Sequence, residues 1–442
     1  MLVITMKKRI ILGTMLLILL MSTTALASGE YVDKYEAPDG IEVISHTSQW
    51  QGNDLIAIYQ ELMSNAHGKE ISHLDSIQLH GGESPNGEEE GLYSYTLKKR
   101  DLLSHSSVSL QKGSVIHLYN MDQKKTVEEV ARVLSHEYGH HFTLFYLAEN
   151  DEAFFLDWTK SRFYKVRQGE LYPKMNDLPE TEHRWMIAEI CAEDYVQLYG
   201  SILAKKPVRV YDISERLRLG LLNQPMNYSS QSYNMVPQEN REIPLALDVE
   251  AATGYWTSLT GIDPALESYS RPELTLGERK QVSDGHYSQI LQWSPSVNSQ
   301  GEEATVYTLV AAKSGTNEFL PIKSLNTEEP KQALIGTVLD TSGPGSRLYT
   351  DSFAHQLGAQ GYDDVRVIAL GSKGEAVSSE SYTLDFLNGT LKKSSETGTP
   401  QPPPEPVDPG DEGRTDTWVD VLDFILDRLF TLFELLLNRQ TT

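Results

Sequence analysis

The chain has 442 residues, with 62 acidic side chains against 38 basic ones and a formal charge of -24. So acidic a chain is repelled by nucleic acid and by anionic surfaces, which excludes partners held by positive charge. Its length allows two or more domains, and its one cysteine, Cys191, excludes an internal disulfide.

At the N-terminus, Lys7-Lys8-Arg9 precede an apolar run from Ile10 to Met21, and Ala25-Leu26-Ala27 follows. A basic segment, a short apolar core and an Ala-x-Ala site read as a bacterial export signal cleaved after Ala27. The mature protein is therefore expected outside the cell, secreted or on the cell surface. Residues 28–265 read as one α+β unit. Asn53 to Met63 is expected to be helical, and Ile71 to His80 and Leu92 to Leu97 to be strands. The acidic, glycine-rich stretch between those strands reads as a solvated loop. Ser114 to Tyr119 is short and β-branched, a further strand. Thr126-Val127-Glu128-Glu129 has capping-box spacing, with the Thr126 hydroxyl and the Glu129 carboxylate as reciprocal caps. It opens a helix that no proline interrupts as far as Leu147.

That helix carries Ser135-His136-Glu137-Tyr138-Gly139-His140-His141, which contains His-Glu-x-x-His. At 3.6 residues per turn, His136 and His140 share a face, so their imidazoles can hold one metal ion. Glu137 lies about 100° round the helix from His136. There it can take a proton from a water at the metal without being a ligand. His141 points off this face and is expected to be packed.

The next acidic helix runs from Arg184 through Glu189, Cys191, Glu193 and Asp194 to Tyr199, ending at Gly200. Glu189 and Glu193 are four apart, on one stripe of an otherwise apolar helix. Two carboxylates in such a place need a cation, and a zinc ion already held by two histidines supplies it. Cys191 on the same helix is expected to be a buried, inert thiol.

His-Glu-x-x-His followed by a helix with Glu-x-x-Ala-Glu resembles the gluzincin metallopeptidases. The resemblance covers residues 115 to 200 well and the rest of the N-terminal half loosely. A metzincin would need glycine at 143 and histidine at 146, where this chain has Thr143 and Tyr146. The resemblance implies an α+β zincin-like catalytic domain with Glu189 as third zinc ligand and Glu193 steadying a ligand histidine. It also implies a residue that stabilises the oxyanion of the tetrahedral intermediate, for which His183, Arg184 and Tyr255 are candidates.

Pro207 to Gln238 reads as a polar loop beside the cleft, and Ala251 to Gly261 as a closing helix. From residue 270 to 390 the texture is β. Trp293, Tyr307, Tyr362 and the spacing of about seven strands resemble an all-β fibronectin type III sandwich. Residues 394–414 form a Pro-rich linker. Residues 415–439 read as an amphipathic helix whose narrow acidic stripe includes Asp416, Asp420, Asp423, Asp427 and Glu434. It is expected to self-associate or dock on a partner, or to lie on a membrane surface.

The expected function is that of a secreted zinc metalloendopeptidase acting on peptide or protein substrates. The alternatives are a non-catalytic, zinc-containing surface protein and a zinc amidase acting on cell-wall peptides.

Overall fold

The computed structural model describes residues 31–394, apart from 86, 88, 103–104, 179, 207–237, 284–285, 313–318, 336–363 and 386–387. The export signal, the Pro207–Gln238 loop up to residue 237, Tyr362, and the linker and helix after residue 394 therefore lie outside the described residues. The chain is a mixed α/β protein with several β-sheets.

The first sheet contains β1 (Asp33–Glu36), β2 (Glu42–Ser45), β3 (Leu74–Leu79), β4 (Gly91–Ser94) and β7 (Ser114–Leu118), in the order β1-β2-β3-β7-β4. β2, β3 and β7 run parallel, and β1 and β4 are antiparallel edges. Alternation sets the faces: Ser114, Ile116 and Leu118 of β7 are buried, while Val115 and His117 are partly exposed. β5 (Leu97–Leu102) and β6 (His105–Leu110) form a separate hairpin. The strands read at 71–80 and 92–97 are shorter than expected. A 3-10 turn occupies Lys69–His73, and the second reading spans the gap between β4 and β5.

α1 (Asn53–Ser64) connects β2 to β3, the helical crossover that a parallel pair requires. α2 (Glu128–Asn150) is buried on every side from Glu137 to Ala148, the signature of a helix inside the core. Its start differs from the expected capping box. Glu129 Oε2 accepts from the Lys125 and Thr126 amides at 2.5 and 3.4 Å, but the N-cap position falls on Val127, with no side-chain cap. Valine has no polar side chain with which to cap.

α3 (Ile187–Tyr199) follows a 3-10 turn at His183–Trp185 and lies against α2. Gly139 permits that approach, because a Cβ there would stand 2.9 Å from the Ala192 carbonyl oxygen and 3.1 Å from its Cα. Gly200 ends α3 as expected, but with extended backbone. It is needed for space, since a Cβ would meet Val196 O at 2.6 Å and Ser135 Oγ at 2.9 Å. α4 (Glu250–Thr260) closes this half and ends at Gly261, where φ is +71°. Among the described residues, no helix is long and apolar enough to cross a membrane.

The second half is built from β8 (Leu274–Ser283), β9 (His286–Trp293), β10 (Val306–Ala312), β11 (Leu320–Asn326), β12 (Gln332–Ile335), β13 (Asp364–Leu370), β14 (Ala376–Ser378), β15 (Tyr382–Asp385) and β16 (Thr390–Lys393). One sheet has the order β12-β9-β8, the other β11-β10-β13-β15-β16, with β14 also on β13. They share one core, in which Leu291 and Trp293 meet Tyr307, Leu309, Val365 and Val367.

The described residues form one compact unit. At the seam between its halves, Leu245 packs with Val310, Phe319, Ile368 and Leu370. Asp248 accepts from Ser378 Oγ at 2.5 Å, and Lys373 pairs with Glu267 at 2.5 Å.

Candidate metal centre

α2 and α3 bring His136, His140 and Glu189 together. Glu189 Oε2 lies 3.0 Å from His136 Nε2 and 3.2 Å from His140 Nε2. The two imidazole rings stand nearly perpendicular, at 86°. All three donor atoms lie within 4.8 Å of one another, and these residues are the one group of acids, histidines or cysteines with that property among the described residues. Atoms bound to one tetrahedral zinc at about 2.0–2.1 Å stand roughly 3.3 Å apart. The observed separations therefore fit a shared ion. The side chains are 11–17 % exposed, so the centre is mostly but not fully buried.

Burial opposes charge on His136, but the Glu189, Glu193 and Glu137 carboxylates outweigh it and raise its pKa to about 9. Burial likewise works against Glu189, and the charges and hydrogen bonds of His140 and His136 hold it well below the ordinary value. So strong a mutual attraction marks a donor set suited to replacing protons with a divalent cation.

Glu137 is buried, and burial raises its pKa above the ordinary carboxyl value although His136 and His140 pull it down. Strand β4 passes directly over it. A Cβ on Gly91 would run into Glu137 and Val133, so only glycine lets the strand lie so close. Tyr93 anchors this strand: its hydroxyl sits 2.8 Å from His141 Nδ1 and 3.0 Å from Ser114 Oγ. His141 is fully buried, and its Nε2–H donates to the Glu70 carbonyl at 2.8 Å. Burial depresses its pKa to about 4, so it is a neutral strut, packed as expected.

Of the three oxyanion candidates, His183 alone touches the cluster. Its Nε2 lies 3.3 Å from Glu189 Oε2, and its Nδ1 lies 2.8 Å from Glu239 Oε2. The bond to Glu239 outweighs burial and raises its pKa to about 9. Tyr255 instead donates to Asp151 at 3.0 Å and packs on Phe163 and Trp256. Arg184 pairs with Glu182 and Glu242. Glu193 Oε1 is 3.6 Å from His136 Nδ1, an ion-pair distance. Asp194 faces Arg167 and Trp256, and burial lifts its pKa to about 6. Cys191 is buried, and burial drives its thiol far above the ordinary value.

Sequence reasoning missed Glu239 and Tyr93, which no spacing connects to the motif. It also left His46, His80 and His117 as unrelated residues. The structure stacks them: the His46 and His80 rings are parallel at 4.9 Å, and His80 Nε2 lies 3.1 Å from His117 Nδ1.

No protein-family model, curated protein or solved structure matches the chain.

Proposed function

We propose that this protein is a zinc-dependent metallopeptidase of the gluzincin type. The observation that carries the reading is the convergence of His136, His140 and Glu189 from two helices beside the buried carboxylate of Glu137. The three side chains would hold the ion. When bound, zinc supplies Lewis-acid chemistry, polarising a scissile carbonyl and making water easier to deprotonate. Glu137 accepts the proton of the attacking water and delivers it to the leaving amine, a role suited to a carboxyl whose pKa burial has raised. His183, held by Glu239, donates to the oxyanion. An open edge strand at the site also supports a peptide substrate. β4 pairs with β7 alone among the described strands, and an extended peptide can add to its free edge.

His183 is also the observation that favours a second reading. If its ring closed the coordination sphere, zinc would be structural and the protein a surface scaffold. Three substitutions separate the readings. Glu189→Ala should lose most bound zinc by elemental analysis. Glu137→Gln should keep zinc and lose peptidase activity on a broad peptide library by about 10²–10⁴-fold. His183→Ala should keep zinc and lose turnover; zinc loss there, with no cleavage by the wild type, would establish the scaffold reading.

We also propose export directed by residues 1–27 and a fibronectin type III-like spacer at 270–390. The spacer reading is supported by a three-strand sheet packed on a larger one in which β10 and β13 are neighbours.

A further inference from the structure

Arg132 stands one helical turn before His136 on α2. It belongs to no motif, yet it is 17 % exposed and is aimed at the same oxygen that serves a zinc-site histidine. Glu193 Oε1 lies 3.6 Å from Arg132 Nη2 and 3.6 Å from His136 Nδ1. On the far edge of that imidazole, His136 Nε2 faces Glu189. Two more acids, Glu239 and Glu90, act on the same guanidinium. Glu193 itself is 8 % exposed, and its other oxygen, Oε2, has no hydrogen-bond partner.

We infer that Arg132 is a positioning residue for the metal centre, holding the Glu193 carboxylate against the Nδ1 edge of His136 so that Nε2 presents its lone pair to the ion. This rests on the zinc reading above. A buried carboxylate with one unsatisfied oxygen stays in place only if a cation compensates it. A carboxylate fixed beside Nδ1 selects the tautomer with the proton there and leaves Nε2 as the donor atom. Arg132 thus acts on the metal through two side chains, without touching it. An ion pair that only held α2 to α3 would have no consequence for the electronic environment of the metal.

The test uses the full chain with Arg132→Met, Arg132→Lys, Glu193→Gln and the Arg132→Met/Glu193→Gln double variant. Zinc affinity is read by chelator competition, and the site's geometry by the visible spectrum of the cobalt(II) form. Arg132→Met should weaken zinc binding about 10–100-fold and alter the cobalt bands. Arg132→Lys should recover most of both. The double variant should be no weaker than Glu193→Gln alone, because Arg132 acts through Glu193. Wild-type affinity and spectrum in Arg132→Met, or additive losses in the double variant, would overturn the inference. If Arg132→Met does not fold, Arg132→Gln replaces it, and equal affinities for the Lys and Gln variants would refute a role for the charge. A wild-type chain that binds no zinc would overturn the metal reading together with this one. A wild type that binds zinc while Arg132→Met is unaffected overturns this one alone.

Discussion

At the scale of single residues, the structure uses histidine in two opposite electrostatic settings. Around the candidate metal centre, carboxylates surround His136 and His183 and favour their charge. In the His46–His80–His117 stack, burial comes first and the neighbouring imidazoles second, and together they push His80 down to about 4. This lies below an ordinary histidine, near 6.5. The contribution of His80 to stability is therefore fully present above about pH 6.5 and is lost as pH falls through about 4, because the unfolded chain takes up the proton more readily. Urea melts at pH 7 and pH 4.5 should show a smaller loss of stability in His80→Gln than in the wild type. An equal loss would mean that the stack does not govern acid sensitivity.

At the scale of elements, the site depends on how closely two helices and one strand approach each other. Gly139 lies inside the His-Glu-x-x-His motif but performs a packing task, because its missing side chain lets Ala192 and Tyr195 of α3 sit against α2. Gly139→Val should force the helices apart. The expected cost is about 1–3 kcal/mol of stability from overpacking, together with weaker zinc binding as Glu189 moves away from the histidines. Thermal melts and chelator competition measure the two effects. A stable variant with unchanged affinity would show that the helix spacing does not set the site.

On the scale of the whole molecule, the two halves share a seam with its own apolar core. Leu245 is 6 % exposed there, among residues of β10 and β13. Lys205 is buried against Gly374, and burial lowers its pKa to about 8 although Glu375 works to raise it. Calorimetry should therefore show one cooperative transition for the wild type. Leu245→Asp, which buries an unpaired charge, should split it into two. Two transitions already present in the wild type would mean that the seam does not couple the halves. For residues 415–439, which lie outside the described residues and whose sequence pattern reads as an amphipathic helix, we propose self-association. Light scattering should give a smaller mass for a chain ending at Arg414, and identical monomer masses would refute this.

His-Glu-x-x-His and the pair Glu189/Glu193 were legible in the sequence because one helix repeats every 3.6 residues, so spacing alone puts His136 and His140 on one face. The β texture after residue 270 was legible for a similar reason: Val365, Val367 and Ile368 fall inside the strand Asp364–Leu370. The capping box was legible only in half: Glu129 reaches back to the Thr126 amide, but the N-cap position falls one residue later, on Val127, which has no polar side chain. Only the tertiary structure decided which oxyanion candidate meets the cluster, separating His183 from Tyr255 and Arg184. It also put Glu239 behind His183 and stacked His46 and His80, just past the ends of β2 and β3, with His117 of β7. Periodicity determines which residues of one element share a face. Which faces meet depends on close packing between elements distant in the chain, and a glycine at 139 or 91 reveals that role only when its neighbours are in place.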